Sequence, residues 1–368
     1  MSKTSKRQNQ RSGVSRPEVS IIILNWNEAE MTVNCVRSVI QQQKSFDGTF
    51  EIILVDNGSV DGSLERFTKE FGEHPLVHLV DAQENKGYAG GNNLGVRKSR
   101  GTHVVILNND TIVEEGWLQH LIDVLRKDKS VGAVNSLEVR NYKRIDLNKL
   151  KTHFSAPNVL QYGVLLQRKD PCDNIDVINS YTIKGCSFAY RRSITDVPFD
   201  EDYFIFSEDT KLGWIIRSRG YHIKTATKSV VNHLHNMTEK KNSAFGRKAV
   251  YLKERNRLMN LLTFYELWTT AKMLPFLLAQ TAATNLMSVR KIPLRAKAYW
   301  YLATHPQQVW KKRREIQATR TKTDAELLPH GWTFYPRSSE EYKLTETKQQ
   351  TKEEKQEKKD EKRNGDAA

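Results

Sequence analysis

The sequence predicts an α/β fold: a mostly parallel central sheet with helices on both faces, followed by a C-terminal helical extension. Three observations predict it. Apolar runs of five or six residues alternate with helical stretches of ten to fifteen from residue 18 to 128, the rhythm of βαβ units. Polar and glycine residues cluster after each run, at Asn25–Asn27, Asp56–Ser59, Asn85–Gly91 and Asn108–Asp110. In an open α/β sheet such carboxyl ends line the ligand crevice. Beyond Tyr251 the pattern turns purely helical as far as Val289.

Each element follows from its residues. VSIIIL (19–24) is a β-branched run with no polar alternation, which reads as a fully buried strand. Glu28 to Gln41 reads as a helix with Met31, Cys35, Val36 and Val39 on one face. FEIILV (50–55), LVHLV (76–80) and THVVIL (102–107) are the next strands, separated by helices at 62–72 and 90–99. Glu114 to Asp128 is an amphipathic helix. Residues 138–180 hold only short apolar pieces among turn formers and receive no assignment. YTIKGCSFAYR (181–191) returns to strand alternation, and 200–221 places two carboxylates at the head of a helix containing Leu212, Ile215 and Ile216. Leu258, Leu261, Leu262 and Tyr265 form the stripe of a later helix. The uncharged run Met273–Val289 has 17 residues and includes Pro275, Gln280 and Asn285. That is short and polar for a membrane span and reads as a buried or interfacial helix. The expected organisation is a disordered basic segment 1–17, a main domain 18–250, a helical basic region 251–338 and a disordered charged tail 339–368.

Charge is unevenly placed. The 368 residues carry 58 Lys+Arg against 43 Asp+Glu, a formal net charge of +15. Residues 18–289 account for only +3, whereas 290–322 hold ten basic side chains and Glu315 alone as acid, with Tyr299, Trp300, Tyr301 and Trp310 interleaved. Such a stretch attracts anions and suits an anionic membrane surface. Cys35, Cys172 and Cys186 are too few and too scattered for a disulfide framework or a zinc site, and read as reduced intracellular thiols. The basic N-terminal segment lacks the apolar core of a secretion signal. Neither G-x-G-x-x-G nor G-x-x-x-x-G-K-[ST] is found, which disfavours Rossmann and P-loop sites. No zinc-finger, helix-turn-helix or RNA-binding sheet pattern accompanies the charge, so nucleic acid is not an expected partner.

Five pieces in fixed order carry the chemistry: ILNWNE (23–28), VDNGSVDGS (55–63), ENKGYAGGNNLG (84–95), LNNDT (107–111) and FSEDTKLGWIIRSRGY (206–221). Together they resemble glycosyltransferase family 2, inverting nucleotide-sugar transferases of the GT-A fold, over about residues 18–260. The resemblance implies a donor site for a UDP- or dTDP-sugar at Asn25, Asn27, Glu28, Asp56, Asn57, Asn85, Gly87 and Asn108. It implies Mg2+ or Mn2+ at Asp110, with His233 or His235 completing the site. LNNDT departs from the family's D-x-D-type motif, because Asn108 and Asn109 stand where acids are common. It implies Asp209 as catalytic base, Glu208 as the alternative, and Gly185 and Cys186 beside the acceptor. An inverting transfer needs a carboxylate within reach of the acceptor hydroxyl.

The implied activity is sugar transfer to a glycan or lipid-linked acceptor by an enzyme peripheral to the cytoplasmic face of a membrane. Other readings stay open on the residues alone. Asp56 and Asn57 could merely shape a turn, and Glu208–Asp209 could simply favour a helix N-terminus. The chain could be an inactive family member serving as a partner subunit, or a basic membrane- or nucleic-acid-binding protein. A nucleotide-sugar pyrophosphorylase would need a Gly-rich, Arg-containing loop after the first strand, which ILNWNE is not.

Overall fold

The computed structural model describes residues 16–140, 159–160, 165–166, 176–180, 182–234 and 243–327. His235, Cys172, residues 1–15 and the 339–368 tract lie outside them.

The first half alternates as expected: β1 (Val19–Asn25), α1 (Ala29–Ile40), β2 (Phe50–Asp56), α2 (Ser63–Phe71), β3 (Val77–Asp81), α3 (Gly87–Lys98), β4 (His103–Asn108). A short β5 (Thr111–Val113), α4 (Trp117–Lys127) and β6 (Val131–Arg140) follow. The small hairpin β7 (Val159–Leu160) and β8 (Leu165–Leu166), then β9 (Val177–Ser180), fall in the unassigned stretch, and β10 (Ser187–Arg191) falls in the strand expected at 181–191. α5 (Glu208–Ser218) and β11 (His222–His233) complete the sheet.

The strand order is β3-β2-β1-β4-β10-β6-β11-β5, with β9 also on β11. β3, β2, β1 and β4 are all parallel, β6 and β11 are parallel, and β10 runs antiparallel between β4 and β6. β1 leads to β2 on one side while β4 lies on the other, so the chain reverses direction across the sheet there and leaves a crevice at the strand ends. The buried strands alternate between two cores. Ile21, Ile23, Ile52 and Leu54 face the layer of α1, α2 and α4, while Ile22, Ile53 and Val55 face Val96 of α3 and Leu212 and Ile216 of α5.

α3 begins at Gly87, three residues before the predicted start. Glycine propensity argues for a loop here, but packing overrides it. A Cβ at Gly91 would stand 2.5 Å from Leu24 Cδ1, and one at Gly95 2.5 Å from Ile22 Cγ2. These glycines let the helix lie directly on β1 rather than opening backbone to a ligand.

The helical extension comprises α6 (Ser243–Phe264), α7 (Leu267–Met287), α8 (Ile292–Thr304), α9 (Pro306–Ala318) and α10 (Asp324–Leu327). The predicted boundary at 250 falls inside α6. The helical pattern read as continuous to Val289 breaks at Tyr265–Glu266, where the Asp324 carboxylate accepts from the Glu266 N–H at 2.8 Å. Trp214 of α5 stacks on Phe264 at 5.4 Å, and with Leu258, Leu261, Tyr265, Met273, Leu277 and Ile316 it forms a third core. The extension is thus packed onto the main domain through the helix that carries Glu208 and Asp209. No described helix is long and apolar enough to cross a membrane.

Candidate active site

Asp110 is positioned by its neighbours in sequence. After β4 the chain turns and β5 pairs antiparallel with the end of β11, placing Thr111 opposite His233. The Leu234 N–H donates to the Asp110 carbonyl at 2.9 Å and closes the pairing. His233 Nε2 therefore lies 3.1 Å from the Asp110 carboxylate. On its other side, His233 Nδ1 lies 2.9 Å from Oε1 of Glu138, which β6 brings beside β11. Burial opposes a charged imidazole here, but the hydrogen bonds to Asp110 and Glu138 outweigh it and push the His233 pKa up to about 9. Glu138 escaped the sequence reading because it lies at the start of the unassigned stretch. Its signal was a lone carboxylate inside the apolar run VGAVNSLEV.

These residues fit a divalent cation. Both oxygens of the Asp110 carboxylate lie 3.1 Å from His233 Nε2, so carboxylate and imidazole are close enough to share one cation. Ligand atoms of Glu138, Cys186 and His233 lie within 4.8 Å of one another. Burial raises the Cys186 thiol pKa far above its ordinary value, so it is held neutral and is a poor ligand. That leaves carboxylate oxygens and an imidazole nitrogen, a donor set for Mn2+ or Mg2+.

The departure at Asn109 has a local reason. The Thr32 hydroxyl hydrogen faces Asn25 Oδ1 at 2.7 Å and the Glu28 carbonyl at 2.9 Å, so its oxygen must accept from elsewhere. Asn109 Nδ2 supplies that donor at 2.9 Å. An ionised Asp has no hydrogen to give. Asn108 holds the floor: its N–H donates to the Cys186 carbonyl at 2.9 Å, and its carbonyl accepts from Thr111 Oγ1 at 2.6 Å.

Glu208 and Asp209 open α5, after a loop whose non-glycine residues Phe204, Phe206 and Ser207 all have positive φ (63°, 76° and 66°). Such conformations persist only where surroundings impose them. Here α6 imposes them. Asn256 Nδ2 lies 3.0, 3.0 and 2.8 Å from the carbonyls of Tyr203, Ile205 and Phe206, and Asn260 Nδ2 donates to the Ser207 carbonyl at 3.1 Å. Glu208 is buried, with Oε2 unpartnered among the described residues. Burial, then the charge of Asp209, raises its pKa to about 8. Burial also raises the pKa of Asp209, against hydrogen bonds from Thr210 and the Gly185 N–H. A Cβ at Gly185 would stand 3.2 Å from Asp209 Oδ2. The Tyr88 hydroxyl donates to the Gly185 carbonyl at 2.9 Å, and its pKa is raised by burial and then by the charges of Glu208, Asp209, Cys186 and Asp110 together. Asp110, Asp209, Gly185 and Cys186 thus gather around one tyrosine, which the sequence reading did not single out.

The expected donor residues form a second, adjoining group. Asn25 Nδ2 donates to Asp56 Oδ1 at 2.9 Å and the Ser59 N–H to Asp56 Oδ2 at 3.0 Å, so the carboxylate shapes its own turn while keeping lone pairs to offer. Asn27, at φ 57°, accepts from the Val60 N–H at 2.8 Å. Asn27 and Glu28 also line an open depression of about 510 Å³ with Met31, Asn34 and Asp61. Asn57 Oδ1 accepts from the Lys86 N–H at 3.0 Å, and Asn85 Oδ1 from the Gly87 N–H at 2.8 Å. These amides set the entry to α3, where a Cβ on Gly87 would strike Phe204. Lys86 pairs with Glu84 at 2.7 Å. Arg255 lies over Tyr251 and Tyr301, and Arg257 pairs with Glu254.

A parallel half-sheet, a crevice at its carboxyl ends and a carboxylate–histidine cluster facing a second carboxylate pair define a glycosyltransferase domain of the GT-A architecture. Residues 20–197 match the model described as glycosyl transferase family 2, and that segment belongs to the family. It is 27% identical over 210 residues to the poly-β-1,6-N-acetyl-D-glucosamine synthase of Staphylococcus aureus, covering 56% of this chain and 47% of that one. It is 32% identical over 118 residues to the chondroitin synthase of Escherichia coli, covering 32% and 17%. The chain thus spans about half the length, or less, of these relatives. In fold it is similar to a mannosyltransferase from Pyrobaculum calidifontis in complex with GDP-Man and Mn2+, with a TM-score of 0.52 and 18% identity over 83% of this chain and 86% of that one.

Proposed function

We propose that this chain is an inverting glycosyltransferase that moves a sugar from a UDP- or dTDP-linked donor to a hydroxyl of a glycan or lipid-linked acceptor, working at the cytoplasmic face of a membrane. One observation supports the reading: Gly185 lies against Asp209, while the next residue, Cys186, has its sulfur within 4.8 Å of ligand atoms of Glu138 and His233, so the carboxylate pair and the Asp110–His233–Glu138 cluster meet across two adjacent residues. A leaving diphosphate and an incoming alcohol need such unlike groups on opposite sides of one sugar carbon.

Asp110 and His233 would hold a divalent cation, with Glu138 orienting the imidazole from behind. When bound, Mg2+ or Mn2+ neutralises charge that develops on the leaving diphosphate. Asp56 and Asn27, at the ends of β2 and β1, would receive the nucleoside, with buried Asn25 holding the Asp56 carboxylate from behind. Asp209 takes the proton of the acceptor hydroxyl, and the new bond forms as the sugar–phosphate bond breaks. Buried Glu208, protonated at neutral pH, keeps a second negative charge away from the base.

The test is release of UDP or dTDP from sugar-nucleotide panels with Mn2+ and glycan acceptors, with product configuration read by NMR. Inversion at the anomeric carbon and at least about a thousandfold loss of kcat in Asp209→Asn are expected. Retention of configuration, or full activity in that variant, overturns the mechanism.

A further inference from the structure

Of the ten basic residues between 290 and 322, four turn inward. Arg295 donates to Asn285 Oδ1 at 2.8 Å, Lys312 pairs with Asp200 at 2.6 Å, Arg313 donates to the Leu262 carbonyl at 2.7 Å, and Arg320 pairs with Asp324. Lys322 pairs with Glu326 at 2.9 Å. Half of the stretch read from sequence as membrane-binding is therefore engaged within the protein, and another surface comes forward.

That surface is α7. One face packs Met273 and Leu277 into the third core. The other presents Leu267, Ala271, Leu274, Leu278, Ala282, Leu286 and, just past the helix end, Val289. The spacing of three or four residues makes one continuous stripe, and every member is exposed. Leu278, Leu286 and Val289 are 61%, 80% and 63% exposed, and Trp268 of the same helix and Trp300 of α8 are 71% exposed each. Lys272 is the only charged residue in the helix, and the chain from Leu267 to Arg314 contains no Asp or Glu at all. Lys272 within the helix, and Arg290, Lys291 and Lys297 in the chain that follows it, are exposed as well. An apolar band of this extent facing water marks an interaction site, not ordinary surface.

We infer that this face of α7 lies in the plane of an anionic phospholipid surface, with its leucines at the acyl boundary, Trp268 and Trp300 at headgroup level and the lysines and arginines on lipid phosphates. The charge pattern selects this occupant. An apolar helix face whose charged residues from Leu267 to Arg314 are all cations complements an anionic bilayer, whereas a second copy of the same face would bring like charges together. At 21 residues the helix is about 32 Å long, ample for an in-plane anchor. Because α6, which holds the 203–207 loop, packs on α8, the anchor also fixes the acceptor side of the site relative to the lipid plane. The inference rests on the membrane-surface placement proposed above, but not on the transfer chemistry.

The test uses the full chain and two vesicle preparations, phosphatidylcholine alone and equimolar phosphatidylcholine–phosphatidylglycerol. Sedimentation with the anionic vesicles only is expected, with tryptophan emission quenched by brominated acyl chains. The double variant Leu278→Asp/Leu286→Asp, whose side chains are exposed and whose melting temperature should be unchanged, loses at least about tenfold in vesicle affinity. Lys291→Glu/Lys297→Glu loses affinity for anionic vesicles alone. The inference is overturned if the leucine variant binds like the parent, if the parent binds neither preparation, or if sedimentation velocity shows instead a dimer that the leucine variant abolishes. Nucleotide-sugar binding in solution, measured in parallel by calorimetry, is independent of these outcomes and reports on the transferase reading separately.

Discussion

Asn256 Nδ2 lies 2.8 Å from the carbonyl of Phe206, and the helix that follows the sheet thereby holds the backbone that delivers Glu208 and Asp209. The same amide reaches the Tyr203 and Ile205 carbonyls, and its Oδ1 accepts from Arg255 at 2.8 Å. The loop it holds has three positive-φ positions, Phe204, Phe206 and Ser207, without any glycine.

Asn256→Ala removes those donors from buried carbonyls. It is expected to cost about 2–3 kcal/mol and to lower kcat more than it changes donor affinity. Asn256→Asp should do worse, because it sets a carboxylate against carbonyl oxygens. Thermal unfolding with steady-state kinetics checks both. An Ala variant with parental stability and kcat would show that the loop holds itself.

Glu138→Gln tests the back of the metal site. The amide keeps the shape but loses the charge that orients and polarises His233, so Mn2+ affinity should fall about tenfold to a hundredfold. Asp110→Asn should abolish measurable binding, because it neutralises the carboxylate that lies against His233. Titration of free Mn2+ by electron paramagnetic resonance reads both without turnover. Equal Mn2+ affinity in Glu138→Gln and the parent would reduce Glu138 to a structural role.

The pKa of Glu208, raised by burial to about 8, gives a stability prediction with a definite sign. The folded chain keeps a proton that the unfolded chain releases near the ordinary glutamate value of 4.5. Stability from this group is complete below that value and declines as pH rises through about 8. Glu208→Gln, neutral throughout, removes the decline. Its melting temperature relative to the parent should rise steadily from pH 5 to pH 8, as scanning calorimetry would show. A pH-independent difference would mean that Glu208 is ionised in the native protein.

What was legible in the sequence follows from where the information resides. Ile21–Ile23 and Ile52–Val55 announce buried parallel strands because both faces of a covered sheet demand apolar residues, and the polar clusters after them mark the crevice. Asp110 and Asp209 carry family spacing. Glu138 and Asn256 carry neither periodicity nor motif. Each acts through a partner about 50 to 95 residues away, His233 in one case and Phe206 in the other, and only the sheet register and the docking of α6 bring them together. The start of α3 was missed for a different reason: Gly91 and Gly95 are poor helix formers in isolation, yet only glycine fits against Leu24 and Ile22.

Gly185 offers the sharpest probe of the proposed base. A methyl group there would lie 3.2 Å from Asp209 Oδ2, so the carboxylate must give way by a few tenths of an ångström. It has little freedom to do so, because Asp209 Oδ1 accepts from the Thr210 N–H at 2.6 Å and from Thr210 Oγ1 at 3.3 Å. Gly185→Ala should therefore displace the base relative to the acceptor while leaving Asp110, His233 and Glu138 in place. The expected result is a kcat lower by about threefold to tenfold with unchanged Mn2+ and donor affinity. Adding Thr210→Val removes the hydroxyl tether and should restore part of the loss. If Gly185→Ala weakens metal or donor binding instead, the glycine serves the cation side of the cleft, and the assignment of Asp209 as base loses its geometric support.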